Sequence, residues 1–179
     1  MCREWIVELL FSEQIYERFI LTDMLNARRF LWIATADIKS TFVRAQGRNF
    51  VSILAIFAGL VRRGVEVRLI HAKEPGPFFR KEFDRFPELL QSDRFERYLC
   101  PRNHSKCIIV DGRVALLGSA NLTGAGLGAK GRDKRNFEIA VRTEDPEHLK
   151  RLMDHLDALT LGDFCRACKL RSVCPDPIA

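Results

Sequence analysis

Two pairs of polar residues in the middle of the chain have the types and the spacing needed for chemistry on a phosphoryl group. His104 and Lys106 precede an apolar run, and Ser119 and Asn121 follow the next one. Residues two apart on a strand face the same side, so each pair should project together. An imidazole can attack phosphorus and form a covalent phosphohistidine, while a lysine cation and neutral hydrogen-bond donors stabilise charge on the phosphoryl oxygens. The four residues therefore predict a site for phosphodiester chemistry.

These residues belong to a longer pattern. The chain contains HxK(x)4D(x)6GSxN, in which Asp111 stands between the two pairs, and Asn136-Phe-Glu138 follows downstream. The pattern resembles the signature of the phospholipase D superfamily at every specified position, from the first predicted strand to the last predicted helix. The resemblance implies a phosphodiesterase with a phospholipase-D-like fold. It also implies that Asp111 organises the site rather than performs chemistry, and we expect Glu138 to hold the imidazole of His104 by its second nitrogen.

The family reaction uses two such motifs, one histidine as the nucleophile and the other as the acid toward the leaving oxygen. This sequence holds one motif and no internal repeat. The small members that it resembles, the Nuc-type endonucleases and the Zucchini-type nucleases, dimerise so that two copies meet across a two-fold axis. An isologous dimer supplies the second histidine from an identical chain. We therefore expect a homodimer, with no divalent metal required for catalysis.

The charge balance favours a polyanionic substrate. The chain carries 29 Lys and Arg against 23 Asp and Glu, a formal net charge of +6. The candidate substrate-binding residues lie just before His104 and in the loop before Asn136: Arg102, Lys130, Arg132, Lys134 and Arg135. A cationic rim at a phosphodiester site suits nucleic acid, because phosphate contacts dominate nucleic-acid binding. The prediction is therefore a nuclease.

Two other functions stay open from the sequence. A lipid phosphodiesterase of the phospholipase D type would carry an apolar lip or an amphipathic anchoring helix. Residues 5–11 are apolar enough to form one, although core packing is preferred. A catalytically idle nucleic-acid-binding or redox-sensing module would keep the fold and lose the activity. The choice among DNA, RNA and lipid as substrate is left open.

A compact set of cysteines follows the last predicted helix, with the spacing C-x2-C-x5-C: Cys165, Cys168 and Cys174. In a reducing compartment, clustered thiols bind metal more often than they form disulfides. The set resembles part of the iron–sulfur staple of AddAB-type helicase–nucleases, which implies a 4Fe–4S cluster with one distant fourth cysteine. Zinc and three metal-free thiols are the alternatives. Cys100 is preferred to Cys2 as the fourth ligand, because Cys100 ends a predicted strand whereas Cys2 lies at a frayed terminus.

The elements that must position these residues predict an α/β chain. Apolar runs at 30–35 and 65–71 flank a helical segment at 49–63 that Gly64 caps, which indicates a parallel strand–helix–strand unit. Further helices are predicted at 5–26, 78–90 and 146–161, and further strands at 97–100, 105–110, 114–118 and 136–142. Asp111-Gly112-Arg113 predicts a tight hairpin, and Cys107, facing away from Lys106, is expected in the core.

The predicted fold class is thus α/β, with a mixed, largely parallel sheet flanked by helices and a single motif half that forms a homodimer. Residues 1–162 are predicted to form the catalytic domain and residues 163–179 a Cys-rich metal-binding tail. The longest mainly apolar run, residues 50–61, is too short to cross a bilayer. The N-terminal segment has acidic residues inside its apolar stretch, unlike a secretory leader. We therefore expect a cytoplasmic protein with no membrane partner.

Overall fold

A seven-stranded sheet organises the fold in the computed structural model, which describes residues 5–44 and 49–178. Its strands are β1 Val7–Phe11, β2 Phe30–Thr35, β5 Glu66–His71, β6 Phe95–Leu99, β7 Cys107–Val110, β8 Val114–Gly118 and β9 Ile139–Thr143. A separate two-stranded sheet consists of β3 Phe42–Arg44 and β4 Phe50–Ser52. The α-helices are α1 Glu13–Ile15, α2 Ile53–Arg62, α3 Pro77–Phe83, α4 Pro87–Gln91 and α5 Pro146–Thr160. A π-helical segment, Tyr16–Ile20, continues α1.

The large sheet is mixed, as predicted, and its strand order is β1-β9-β8-β7-β2-β5-β6. Only β2–β5 and β5–β6 pair in parallel, and the other four described pairings are antiparallel. The predicted α/β fold with helices around a mixed sheet is therefore confirmed, whereas the expectation of a largely parallel sheet is wrong. Parallel pairing needs a long crossover: α2 lies between β2 and β5, and α3 and α4 lie between β5 and β6. The antiparallel strands β7 and β8 are instead joined by a tight turn.

The predicted helix at 5–26 is wrong in its first half. Val7–Phe11 is an edge strand that pairs antiparallel with β9, and helical structure starts only at Glu13. Within the strand, Leu10 is buried while Leu9 and Phe11 are exposed, which is the two-residue alternation of a sheet edge. The backbone hydrogen bonds of β9, more than a hundred residues away, decide the conformation of this apolar segment.

The predicted helix at 49–63 begins later than expected, because residues 50–52 form β4. Ser52 caps α2, and its side chain accepts a hydrogen bond from Leu54 N at 3.1 Å. Gly64 follows the helix with φ +86°, a left-handed conformation that favours glycine, so its predicted capping role is confirmed. At α5, the Asp145 side chain accepts from Glu147 N at 2.8 Å.

Helices cover both faces of the sheet. On one face, Ile33 and Leu69 pack in a core that includes Phe57 of α2. On the other face, Ile109 packs with Leu149 and Leu156 of α5. In the described part of the chain, no helix has both the length and the apolar composition needed to span a membrane.

Candidate active site

The ends of three strands bring the predicted catalytic residues together at one edge of the sheet. His104 and Lys106 precede β7, Ser119 follows β8, and Glu138 precedes β9. Because β8 runs antiparallel to both of its neighbours, these three strand ends are adjacent. Gly118 N donates a hydrogen bond to Lys106 O at 3.1 Å, and Ser119 N donates to Ile139 O at 3.0 Å. Tertiary pairing therefore assembles residues that are distant in the sequence.

The imidazole of His104 and the ammonium of Lys106 lie side by side. Lys106 Nζ is 3.2 Å from His104 Nδ1, 3.5 Å from its Nε2 and 2.8 Å from its backbone oxygen. His104 is exposed and Lys106 is half-buried. Burial lowers the pKa of Lys106 from its ordinary value, and the Glu138 carboxylate partly offsets this effect. The imidazole and the ammonium thus lie together at a solvent-accessible position, as the two-residue spacing predicts.

Glu138 contacts Ser119 and Asn136 rather than the predicted His104. Ser119 Oγ donates a hydrogen bond to Glu138 Oε2, and Asn136 Nδ2 donates to Glu138 Oε1 at 3.0 Å. Across residues 5–44 and 49–178, no hydrogen bond joins Glu138 to His104, so the expected pairing is absent from this arrangement. A buried carboxylate needs donors for its oxygens, and the neighbouring Ser119 and Asn136 satisfy both of them.

The amide oxygen of Asn121 is held by contacts that its sequence position does not indicate. Its Oδ1 accepts hydrogen bonds from Asp37 N at 3.2 Å and from Thr35 Oγ1 at 3.4 Å. Since the amide oxygen is held by β2 and the turn after it, the Nδ2 group is the part of Asn121 that can donate to a phosphoryl oxygen.

Asn103 positions the segment that carries His104. It is buried; its Nδ2 donates to Thr35 O at 3.1 Å and to Ile70 O at 3.2 Å, and its Oδ1 accepts from Ser105 N at 3.1 Å. Sequence reasoning missed both Asn103 and Thr35. Only the position of Asn103 beside the motif could have indicated it, because the partners of a buried amide are not visible in a sequence.

Asp111 lies at the opposite end of β7 from His104 and Lys106. It is five residues along the strand from Lys106, about 16 Å at the usual strand rise. Its buried carboxylate accepts hydrogen bonds from the backbone N–H groups of Arg28 at 3.1 Å, Arg29 at 2.7 Å and Phe30 at 3.1 Å. Asp111 and Gly112 have φ values of +57° and +66°, the left-handed conformation of a tight hairpin turn, so the predicted hairpin is confirmed. Asp111 therefore holds the start of β2 against this hairpin, away from His104.

The predicted basic residues separate into two groups. Lys130, Arg132 and Lys134 are exposed. Arg135 instead makes an ion pair with Glu13 at 3.0 Å and is largely covered, and Arg102 lines a cavity together with Cys168. The exposed cations of the loop are thus available to a substrate, while Arg102 and Arg135 also have contacts within the protein.

An apolar surface continues from the site toward the edge strand. The open depression beside His104 and Lys106 is lined by Leu117, Ile139 and Val141. In the register of β1 with β9, Phe11 lies opposite Ile139. The Phe137 side chain is 100% exposed. The site thus has a cationic loop and an apolar shoulder, and Phe137 is a further residue that the sequence reasoning missed.

The cysteines lie in two places. Cys107 is buried in the core beneath α5, where burial raises the pKa of its thiol to about 12, so its predicted core position is confirmed. Cys100, Cys165, Cys168 and Cys174 line one cavity. Within the described ranges, no three or more His, Cys, Asp or Glu residues are arranged to hold a metal ion. Cys2 lies outside the described residues.

Comparison with known proteins identifies relatives that share this domain. The family model described as "Cardiolipin synthase, PLD-like domain" matches residues 20–160. Cardiolipin synthase A of Pseudomonas entomophila is 28% identical over 155 residues, which is 83% of this chain but only 28% of the relative's length. The chain therefore spans little more than a quarter of that protein.

Solved structures show the same fold at low sequence identity. NucT from Helicobacter pylori has a TM-score of 0.59 at 17% identity, over 85% of this chain and 93% of that chain. The phospholipase D family member Nuc from Salmonella typhimurium has a TM-score of 0.60 at 17% identity, over 85% and 91% of the two chains. Since the family model covers most of the chain and the motif residues meet at one sheet edge, this protein belongs to the phospholipase D superfamily of phosphodiesterases, with a single HKD motif.

Proposed function

We propose that this phosphodiesterase is a nuclease that acts through a phosphohistidine intermediate at a site shared by two identical chains. The observation that carries the proposal is the exposed His104 imidazole with the Lys106 ammonium 3.2 Å from its Nδ1. A lone pair on one ring nitrogen can attack phosphorus while the cation remains close enough to stabilise the phosphoryl oxygens.

The proposed reaction has two displacements. His104 of one chain forms a bond to phosphorus, and the bond to the leaving oxygen breaks as His104 of the second chain donates a proton to that oxygen. Water then attacks the phosphohistidine, the second histidine accepts a proton from the water, and the first histidine leaves. The products are an alcohol and a phosphate monoester. Lys106 and the Asn121 amide stabilise charge on the non-bridging oxygens in both steps, and this chemistry requires no divalent metal.

The apolar edge of the sheet supports the homodimer. Leu9, Phe11 and Ile139 are 59, 48 and 56% exposed, and Ile139 also lines the depression beside His104. An exposed edge strand with a contiguous apolar face is a site of association. A second copy seated there would cover this face beside the catalytic edge, where a second His104 is needed.

Two features of the rim support nucleic acid as the substrate. Lys130, Arg132 and Lys134 are exposed and can contact successive phosphates. Phe137, fully exposed beside Glu138, offers an aromatic ring on which a base can stack. Cations next to an aromatic platform match a single-stranded nucleic acid better than a free phosphate ester.

A lipid phosphodiester is the second candidate, and the same apolar shoulder favours it. The family model and the Pseudomonas relative both carry the name cardiolipin synthase. A lipid substrate would place its acyl chains on Phe11, Phe137 and Ile139 instead of a second copy or a base. A catalytically idle module is the third candidate, because Glu138 hydrogen-bonds to Ser119 rather than to His104.

A substrate panel distinguishes the three candidates. Purified protein is incubated with labelled single-stranded DNA, duplex DNA, RNA and phospholipid vesicles, with and without EDTA. We expect cleavage of nucleic acid that persists in EDTA and that disappears in His104→Ala. His148→Ala is the matched control, because His148 lies on α5 and hydrogen-bonds to Thr143 at the end of β9 that is remote from His104, so its loss should leave cleavage unchanged. Vesicle hydrolysis alone would favour the lipid enzyme, and equal results for wild type and His104→Ala would favour the idle module.

Mixed dimers test the shared site. Wild-type and His104→Ala chains are co-refolded at several ratios, and activity is measured against the wild-type fraction f. If each site needs both histidines, total activity follows f², whereas independent sites give a linear dependence. Leu9→Lys should dissociate the dimer and abolish cleavage, while Phe78→Lys, at a somewhat more exposed apolar position on α3, should do neither. A monomeric wild-type enzyme with full activity would refute the shared site.

A further inference from the structure

Four free cysteines from two distant segments surround a single cavity. Cys100 follows β6, while Cys165, Cys168 and Cys174 belong to the segment after α5. All four line a cavity of about 250 Å³. Each thiol is partly accessible rather than buried in a core, unlike Cys107. The catalytic chemistry uses none of these thiols.

The tail that carries three of these cysteines is held against the sheet in a defined conformation. Asp176 accepts a hydrogen bond from Leu99 N at 3.1 Å, beside Cys100. Within the tail, Cys168 N donates to Cys165 O at 3.1 Å, and Arg171 donates to Ile178 O at 2.8 Å. These bonds bring the thiols to the same cavity before any ligand is bound. Organisation of this kind lowers the ordering cost of binding.

Four cysteine thiols suit either a zinc ion or an iron–sulfur cluster. A single tetrahedral zinc with 2.3 Å bonds brings its four sulfur atoms to about 3.8 Å from one another. In the described part of the chain, no three His, Cys, Asp or Glu side chains converge closely enough to hold one ion. An iron–sulfur cluster spaces its thiolates more widely, because each of them binds a different iron atom.

We propose that Cys100, Cys165, Cys168 and Cys174 bind a 4Fe–4S cluster in this cavity. Each thiol gives up its proton as it binds iron, and the cavity supplies the room that a single ion does not need. This proposal does not rest on the nuclease reaction, because metal content is measured without substrate.

The position of the cavity connects the cluster to the catalytic edge. Arg102 and Ser105, on either side of His104, also line it. Asn103 N donates to Cys100 O at 2.9 Å, and the Asn103 side chain holds Ser105 N. A cluster bound to Cys100 would therefore fix the short segment that carries His104, and its loss should loosen that segment.

The test begins with protein purified without oxygen and reconstituted, also without oxygen, with ferric iron, sulfide and a thiol reductant. Iron, acid-labile sulfide and zinc are measured per chain, together with the visible absorbance. We expect four iron and four sulfide per chain in the wild type. Cys100→Ser should lose most of the iron and the absorbance, whereas Cys107→Ser, whose thiol faces the core beneath α5, should retain them.

Other outcomes would overturn the proposal. One zinc per chain without iron would identify a single-ion site, and a metal-free wild type after reconstitution would exclude a metal centre. If Cys100→Ser keeps its full iron and Cys2→Ser loses it, Cys100 is not the fourth ligand and the proposed assignment is wrong. If circular dichroism shows that Cys100→Ser does not fold, the test uses Cys174→Ser instead, because Cys174 lies in the tail and its substitution should disturb the sheet less. Full iron in a folded Cys174→Ser variant would also overturn the proposal.

Discussion

The carboxylate of Asp111 gives the sharpest test of how this fold supports its active site. Three backbone N–H groups, of Arg28, Arg29 and Phe30, donate to it, and the side chain is buried. In Asp111→Asn, the amide oxygen can still accept these bonds, and asparagine tolerates the left-handed backbone. The negative charge is lost, however. Because hydrogen bonds to a charged group contribute about 1 kcal/mol more than neutral ones, we expect the free energy of unfolding to fall by about 1–2 kcal/mol.

Asp111→Ala removes every acceptor. Each buried N–H group left without a partner costs about 1–3 kcal/mol. Water entering at the sheet edge offsets part of this cost, so we expect a total loss of about 3–5 kcal/mol. The melting temperature should then fall by on the order of 10 °C for a domain of this size. Arg113→Ala is the control: its guanidinium lies 3.6 Å from Asp111 and is exposed, so it should cost less than about 1 kcal/mol.

Urea unfolding followed by circular dichroism measures these free energies, and cleavage is assayed at a temperature where all variants are folded. We expect wild type to be the most stable, Asp111→Asn to be intermediate and Asp111→Ala to be the least stable. The kcat of the folded Asn variant should lie within a few-fold of wild type, because Asp111 is about 16 Å from Lys106. A fully stable Asp111→Asn with activity reduced more than about 100-fold, a loss of roughly 2.7 kcal/mol in transition-state stabilisation, would refute this reasoning. It would assign Asp111 a role in the reaction.

Two further predictions concern residues at the strand ends near His104, away from Asp111. Gly118→Ala should destabilise the protein by about 2 kcal/mol or more and reduce cleavage, because the new Cβ would lie 2.3 Å from Ile139 O. Gly131→Ala is the control and should do neither, because its new Cβ would meet nothing within 4 Å. Equal melting temperatures for the two variants would contradict the steric argument. Burial lowers the pKa of His71 below its ordinary value of 6.5. Below pH 6.5 the unfolded chain therefore binds a proton at His71 more readily than the folded chain does. The free energy of unfolding should then decrease by up to about 1.4 kcal/mol for each pH unit below 6.5. Urea unfolding at two pH values should show a smaller loss in His71→Gln, and an identical loss would refute the assignment.

Local patterns were sufficient to predict the candidate site residues and much of the fold. The spacing of His104, Lys106 and Ser119 predicted side chains that lie together at one edge of the sheet. The hairpin at Asp111 and the cap at Gly64 were also predicted correctly. These features depend on short-range physics: two-residue alternation along strands, and backbone conformations that only a few residue types adopt. No distant part of the chain is needed to read them.

Tertiary structure decided the features that depend on distant partners. The segment Val7–Phe11 has an apolar pattern compatible with a helix, and only the backbone of β9 makes it a strand. Likewise, Glu138 hydrogen-bonds to Ser119 instead of His104, and Asp111 to the start of β2, because a buried polar group bonds to whichever donors the packed chain brings nearest. The sequence determined which side chains could perform the chemistry, whereas the packing of the strands determined which of them contact one another. Sequence spacing constrains a residue's own backbone, but the hydrogen-bond partners of a buried group are set by contacts between distant segments.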